Sequence, residues 1–165
     1  MIGRYQALTQ RIRQEEQDLE RIVLAVERHW KRSLTATADQ DAYLNSVALN
    51  LHGFYSGLER IFELIAAELD GTRLGGERWH IELLKQMTLD LPKLRPPVLT
   101  TNTAARLDEY RKFRHLIRNI YTTNIVPNEM EKLVTGLPAL WGQIRQELGT
   151  SVKFLDELSH ADEED

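Results

Sequence analysis

The stretch DAYLNSVALNLHGFYSGLERIFELIAAEL, residues 41–69, decides the fold. Leu44, Val47, Leu51, Phe54, Leu58, Ile61, Phe62, Ile65 and Leu69 recur along it mostly at spacings of three and four. That period stacks side chains on one face of an α-helix. The apolar band is wide, and a wide band needs cover on more than one side. The segment is therefore expected to be a long central helix.

The flanking sequence supplies the covering helices. In residues 1–30, Tyr5, Leu8, Ile12, Leu19, Ile22, Val23, Val26 and Trp30 repeat in the same way, with charge between them. No breaker precedes Ser33, and residues 35–40 read as a polar turn with Asp39 as N-cap. After the central helix, Gly71, Gly75 and Gly76 mark a loop, and residues 77–89 read as a short third helix. Pro92, Pro96 and Pro97 make residues 90–100 extended. Thr101 or Asn102 is placed to cap a fourth helix over 103–120, and Pro127 opens a fifth. Gly136 and Pro138 are expected to kink or restart that fifth helix. Gly149 is expected to end it, with a last short helix through Leu158. No strand pattern and no internal repeat interrupts this order. The expectation is an all-α fold, an antiparallel helical bundle of about five to six helices. One domain would fill residues 1–155, with 156–165 as an acidic, flexible tail.

Composition limits the function classes. A chain of 165 residues fits one domain with a single core. There is no cysteine, which removes disulfides and thiolate metal sites and fits a reducing, cytoplasmic setting. No apolar run reaches the roughly 20 residues that span a bilayer. Residues 1–13 alternate charge with apolar side chains, so no secretory signal is expected there. Net charge is −4, but six acids fall in the last ten residues, so the rest of the chain sums to about +2. The histidines show no ligand spacing, and neither a metal nor another cofactor is expected.

Charge concentrates on the fourth helix. With about 100° per residue, Phe113, Leu116, Ile117 and Ile120 gather on one side, which is expected to face the core. Arg111, Arg114, Arg118 and Tyr121 gather on the other, flanked by His115 and Asn119. Adjacent arginines repel by a few tenths of a kcal/mol per pair, and Asp108 and Glu109 can offset this by pairing with Arg111 or Lys112. One reading of the stripe is a solvated basic face. The other is a phosphate-binding surface, because guanidinium presents a planar fork of donors. Glu59 could pair with one of these arginines or stay a surface acid, and Trp79 and Trp141 suit a core or an interface.

Residues 113–121, FRHLIRNIY, resemble the signature helix of HEPN-superfamily proteins, in particular HepT-like toxins. That motif is Arg, four residues, His, one residue, Tyr. Arg114 fits the Arg, His115 a polar position after it, and Tyr121 the Tyr. Residues 51–62, LHGFYSGLERIF, are similar to the second helix of the group. Trp79-His80, with Leu83, Leu84, Met87 and Arg95-Pro96, falls where such proteins place similar residues. The resemblance covers about residues 40–125.

The resemblance implies a metal-independent ribonuclease toxin, acting on tRNA or mRNA as a homodimer. It also implies a nucleotidyltransferase antitoxin that modifies Tyr121 with AMP, placing negative charge beside Arg114 and Arg118. Two copies would bring about eight cationic groups to one cleft if His115 were protonated. The motif Arg and His are the implied catalytic pair, but the His position holds Asn119. Asparagine hydrogen-bonds but exchanges no proton at neutral pH. Three consequences stay open: His115 takes over proton transfer, activity is weak, or the site only binds RNA. In the last case the chain is a non-catalytic partner subunit of a nucleotidyltransferase. A bundle that only mediates assembly is a further possibility. No spaced acids of a nucleotidyltransferase occur, so the chain is not itself the antitoxin enzyme.

Overall fold

The computed structural model describes residues 2–118 and 127–164. Among them are five α-helices and no strand, so the fold is all-α. They are α1 (Ile2–Thr35), α2 (Gln40–Ile65), α3 (Trp79–Gln86), α4 (Thr101–Arg118) and α5 (Pro127–Ala161). No described helix is long and apolar enough to cross a membrane.

The wide band of α2 does what its width requires. Phe54, Leu58, Ile61 and Phe62 are fully buried, and α2 packs against α1, α3 and α4. Its Phe54 ring also meets Trp141 of α5 edge-on, with centroids 5.9 Å apart. α1 and α2 form an antiparallel hairpin. His29–Ser46 lies near the turn, Glu15–Arg60 farther out, and Arg4–Glu68 at the open end. The two helices approach closely at Gly57, where an added Cβ would lie 2.6 Å from Leu19 Cδ2. α5 runs antiparallel to α1, and Trp141, buried as a core residue, donates its indole N–H to Glu20.

Several boundaries differ from the sequence reading, each for a local reason. α1 continues past residue 30 to Thr35, and the Gln40 amide closes its end on the Ser33 carbonyl. Asp39 stands at the N-cap of α2 in a left-handed conformation (φ 59°), and its side chain makes no cap bond. Its backbone carbonyl instead accepts the Ala42 N–H. The cap of α4 is Thr100, whose hydroxyl accepts the Thr103 N–H at 3.1 Å, rather than Thr101 or Asn102. The inward arc of α4 runs through Leu107, Tyr110, Phe113 and Arg114. Leu116, expected in the core, is 39% exposed, and Ile120 lies outside the described residues.

α5 neither restarts at Gly136 or Pro138 nor ends at Gly149. An interior proline costs about 3 kcal/mol. The buried run Leu137, Leu140, Trp141, Ile144 and Leu148 on both sides of those positions supplies more than that. The helix carries on through residues 156–161, where Ser159 is buried.

The proline segment is held by one buried ion pair. α2 ends in a single π-helical turn (Ala66–Asp70), closed by Gly71 at φ 68°. Asp70, at the end of that turn, receives Arg95 Nε at 2.6 Å and Nη2 at 2.7 Å. The other guanidinium protons go to the carbonyls of Gln86, Leu89 and Pro96. This knot ties residues 89–96 and the end of α3 to the end of α2. It therefore sets where α3 lies.

Two outcomes follow in denaturant titration. Asp70→Ala leaves Arg95 buried and unpaired and should cost about 3–5 kcal/mol. Gly149→Ala meets open space inside a continuous helix and should gain about 0.5–1 kcal/mol. A loss at Gly149→Ala would contradict an unbroken α5.

Candidate functional site

Glu59 interrupts the apolar face of α2. It sits one turn after Tyr55 and shortly before Ile61 and Phe62, and it is 5% exposed. A buried carboxylate must be paired. Arg114, itself 6% exposed, reaches it from α4. Nη1 donates to Glu59 Oε1 at 2.5 Å and to Ser56 Oγ at 3.3 Å. The guanidinium carbon also lies 5.0 Å from the centre of the Tyr55 ring, a cation–π contact. Burial pushes the Tyr55 phenol pKa upward, and the Glu59 charge adds to that.

His80, in the first turn of α3, completes the group. Its Nδ1 lies 2.6 Å from Glu59 Oε2 and 2.8 Å from Arg114 Nη2. One ring nitrogen cannot donate to the first and accept from the second at once. A bare Nδ1 would set its lone pair against a carboxylate oxygen. A protonated Nδ1 donates to Oε2 while Arg114 donates to Oε1, so each oxygen has its own donor. The shorter contact, to a full carboxylate charge, favours the Nδ1–H tautomer, at the cost of turning the 2.8 Å approach of Arg114 Nη2 into a close contact between two donors. It leaves Nε2 with the lone pair. The Trp79 and His80 rings stack with centroids 3.6 Å apart.

Of this group, Arg114 and His80 open onto a cleft of about 410 Å³ lined by Glu77, His80, Arg111, Arg114, His115 and Arg118. The four expected cationic residues Arg111, Arg114, His115 and Arg118 are brought together. Asn119 and Tyr121 lie outside the described residues. The charge is distributed differently from the expected solvent-facing stripe. Arg114 is turned inward onto Glu59, and Arg111 Nε donates to Asp108 at 2.6 Å. Lys112 lies 3.5 Å from the same carboxylate and 3.3 Å from Glu109. Burial opposes ionisation of Asp108, but Arg111 and Lys112 prevail and lower its pKa. Arg118 is exposed and, among the described residues, makes no ion pair. The reservoir of unneutralised charge in the cleft is therefore smaller than a count of its arginines.

Sequence reasoning did not assign His80, Glu77 or Ser56 to this site. The usable signal was Glu59, an acid on the buried arc of an otherwise apolar helix face. A larger cleft of about 640 Å³ lies between α1, the end of α2 and α3. It holds no histidine, and its Arg60 and Glu15 pair with each other at 3.1 Å, so proton chemistry favours the smaller one. His52 of α2 feels the same cations. Burial lowers its pKa first, and repulsion from Arg114 and then Arg118 lowers it further, against Glu59.

Replacing Arg118 by Gln removes one of those repulsions, so the His52 titration midpoint should move up. A histidine-resolved NMR titration reads it, and an unmoved midpoint would separate Arg118 from His52.

The family described as HepT-like protein matches residues 46–155, from the second turn of α2 into the last third of α5. No curated protein matches the chain, and no solved structure does.

Proposed function

The chain belongs to the HepT-like family, and on that premise we propose that it is a HEPN-type toxin, a metal-independent endoribonuclease acting on tRNA or mRNA. One observation carries the proposal: a single cleft joins Arg111, Arg114 and Arg118 with two imidazoles, His80 and His115. Cleavage by attack of the ribose 2′-OH needs a base, an acid and cations around the five-coordinate phosphorus. General acid–base help is worth about 10²–10⁴-fold. Arg114 is held in place by Glu59, which fits a preorganised cation. Arg118 and Arg111 bind the flanking phosphates, and His115 is the α4 residue that moves a proton. Asn119 keeps a hydrogen-bonding place in the motif.

Two copies facing each other as a homodimer would double the cleft. A nucleotidyltransferase antitoxin would silence it by adding AMP to Tyr121, whose phosphate would compete for Arg114 and Arg118. The setting is cytoplasmic, and the chemistry uses no cofactor.

The second reading is a non-catalytic partner subunit of a nucleotidyltransferase. Asn119 in the motif His position favours it, because that residue transfers no proton.

Purified protein is incubated with total tRNA in EDTA at low salt, beside Arg114→Ala and Asn119→His. Cutting by the parent that is lost in Arg114→Ala supports the ribonuclease. Cutting by Asn119→His alone marks a site silenced at that position. No cutting by any of the three turns the assignment to the partner subunit. Arg118→Gln should flatten the dependence of log binding constant on log salt by about 0.7, the value for one phosphate on single strands.

A further inference from the structure

Asn119 leaves the HEPN motif one proton-transfer group short, and the third dimension supplies another. His80 lies outside the α4 motif, 34 residues before Arg114 in sequence, yet it touches both members of the buried pair. Its side chain is 26% exposed and lines the same cleft as Arg114, His115 and Arg118. Glu59 accepts Nδ1–H, so the ring presents the basic nitrogen on its other side. Stacking on Trp79 at 3.6 Å fixes the plane of the ring. A carboxylate behind an imidazole orients it and stabilises the imidazolium once a proton arrives. That arrangement makes an effective base of a histidine in unrelated hydrolases.

We infer that His80 is the general base of this site, with Glu59 as its positioning residue. The inference rests on the ribonuclease reading. Nε2 of His80 takes the proton from the ribose 2′-OH. The 2′-oxygen forms its bond to phosphorus as the bond from phosphorus to the 5′-oxygen breaks. The proton on the protonated His115 ring goes to the leaving 5′-oxygen. The products are a 2′,3′-cyclic phosphate and a 5′-hydroxyl. His80 then releases its proton to solvent and His115 regains one, so no metal, oxidant or further reactant is consumed. His80 on α3 and His115 on α4 thus divide the two proton transfers.

The experiment measures cleavage of a short RNA by the full-length protein in EDTA from pH 5 to 9. The parent should give a bell-shaped profile of kcat/KM, with an acidic limb from the base and an alkaline limb from the acid. His80→Gln should lower kcat at least about 100-fold with little change in KM and remove the acidic limb. His115→Gln should remove the alkaline limb. His80→Ala should recover activity when free imidazole is added, and Arg114→Ala should not. Far-ultraviolet circular dichroism and thermal melting establish that each variant is folded.

A parent that cuts while folded His80→Gln keeps its rate and its acidic limb overturns the role of His80 alone. So does loss of the acidic limb in His115→Gln with His80→Gln unchanged. If His80→Gln does not fold, absence of imidazole rescue in His80→Ala decides against the base. A parent that cuts no RNA, while a substrate with 2′-deoxyribose at every position binds equally well, removes the ribonuclease reading and His80 with it.

Discussion

A buried carboxylate facing a buried guanidinium, Glu59 against Arg114, is the contact on which the cleft depends. Removing two ions from water costs several kcal/mol each, and Coulomb attraction recovers it only with good geometry and satisfied hydrogen bonds. The carboxylate meets those conditions. Oε1 takes Arg114, Oε2 takes His80, and the guanidinium spends a further proton on Ser56. Such a pair is still weak evidence for stability, since apolar residues of similar volume often serve a core as well. What an apolar replacement could not do is fix the directions of a guanidinium and an imidazole at one cleft. Three helices meet at this contact, α2 through Glu59, α3 through His80 and α4 through Arg114. The pair therefore sets a geometry more than it adds to the folding free energy.

The helices themselves were legible because burial is periodic. The nine apolar residues from Leu44 to Leu69, along α2 and its π-helical turn, are all buried or partly buried. The ends were less legible, because capping is decided by single backbone conformations. At Asp39 a left-handed backbone turns the side chain away from the cap, and periodicity says nothing about that. Breaker residues misled in α5 for a different reason. Propensity is a weak preference per residue, and Pro138 sits between Leu137 and Leu140, both buried. Tertiary packing outweighs one lost hydrogen bond.

The site was legible in part for the same reason. The charged stripe of α4 is a helical pattern, so Arg111, Arg114 and Arg118 could be grouped from their spacing. Their states could not. Arg114 continues the inward arc of Leu107 and Tyr110 by one more turn, so it is buried where the wheel suggested solvent. His80 was beyond reach of any helical period. Its place depends on the irregular chain around α3, and that path is fixed by Arg95 reaching back 25 residues to Asp70. Both partners of that bond look like ordinary surface charges in sequence. Glu59 was the one residue that could point across elements from sequence, toward an arginine of α4; its contact with His80 came only with the structure.

Pairing also changes what the cleft can do with an anion. A stripe of unneutralised arginines would hold any polyanion by its field alone, over distances set by the Debye length of about 8–10 Å. With Asp108 on Arg111 and Glu59 on Arg114, most of that long-range field is cancelled. What survives is short-range: N–H donors held in fixed directions around one small volume. Fixed donors need no reorganisation when charge develops at a reacting phosphate, and that is the larger contribution to transition-state stabilisation. A site built this way gives up indiscriminate affinity and keeps orientation. Exposed Arg118 is left to attract an anion without disturbing the pairs at Arg111 and Arg114.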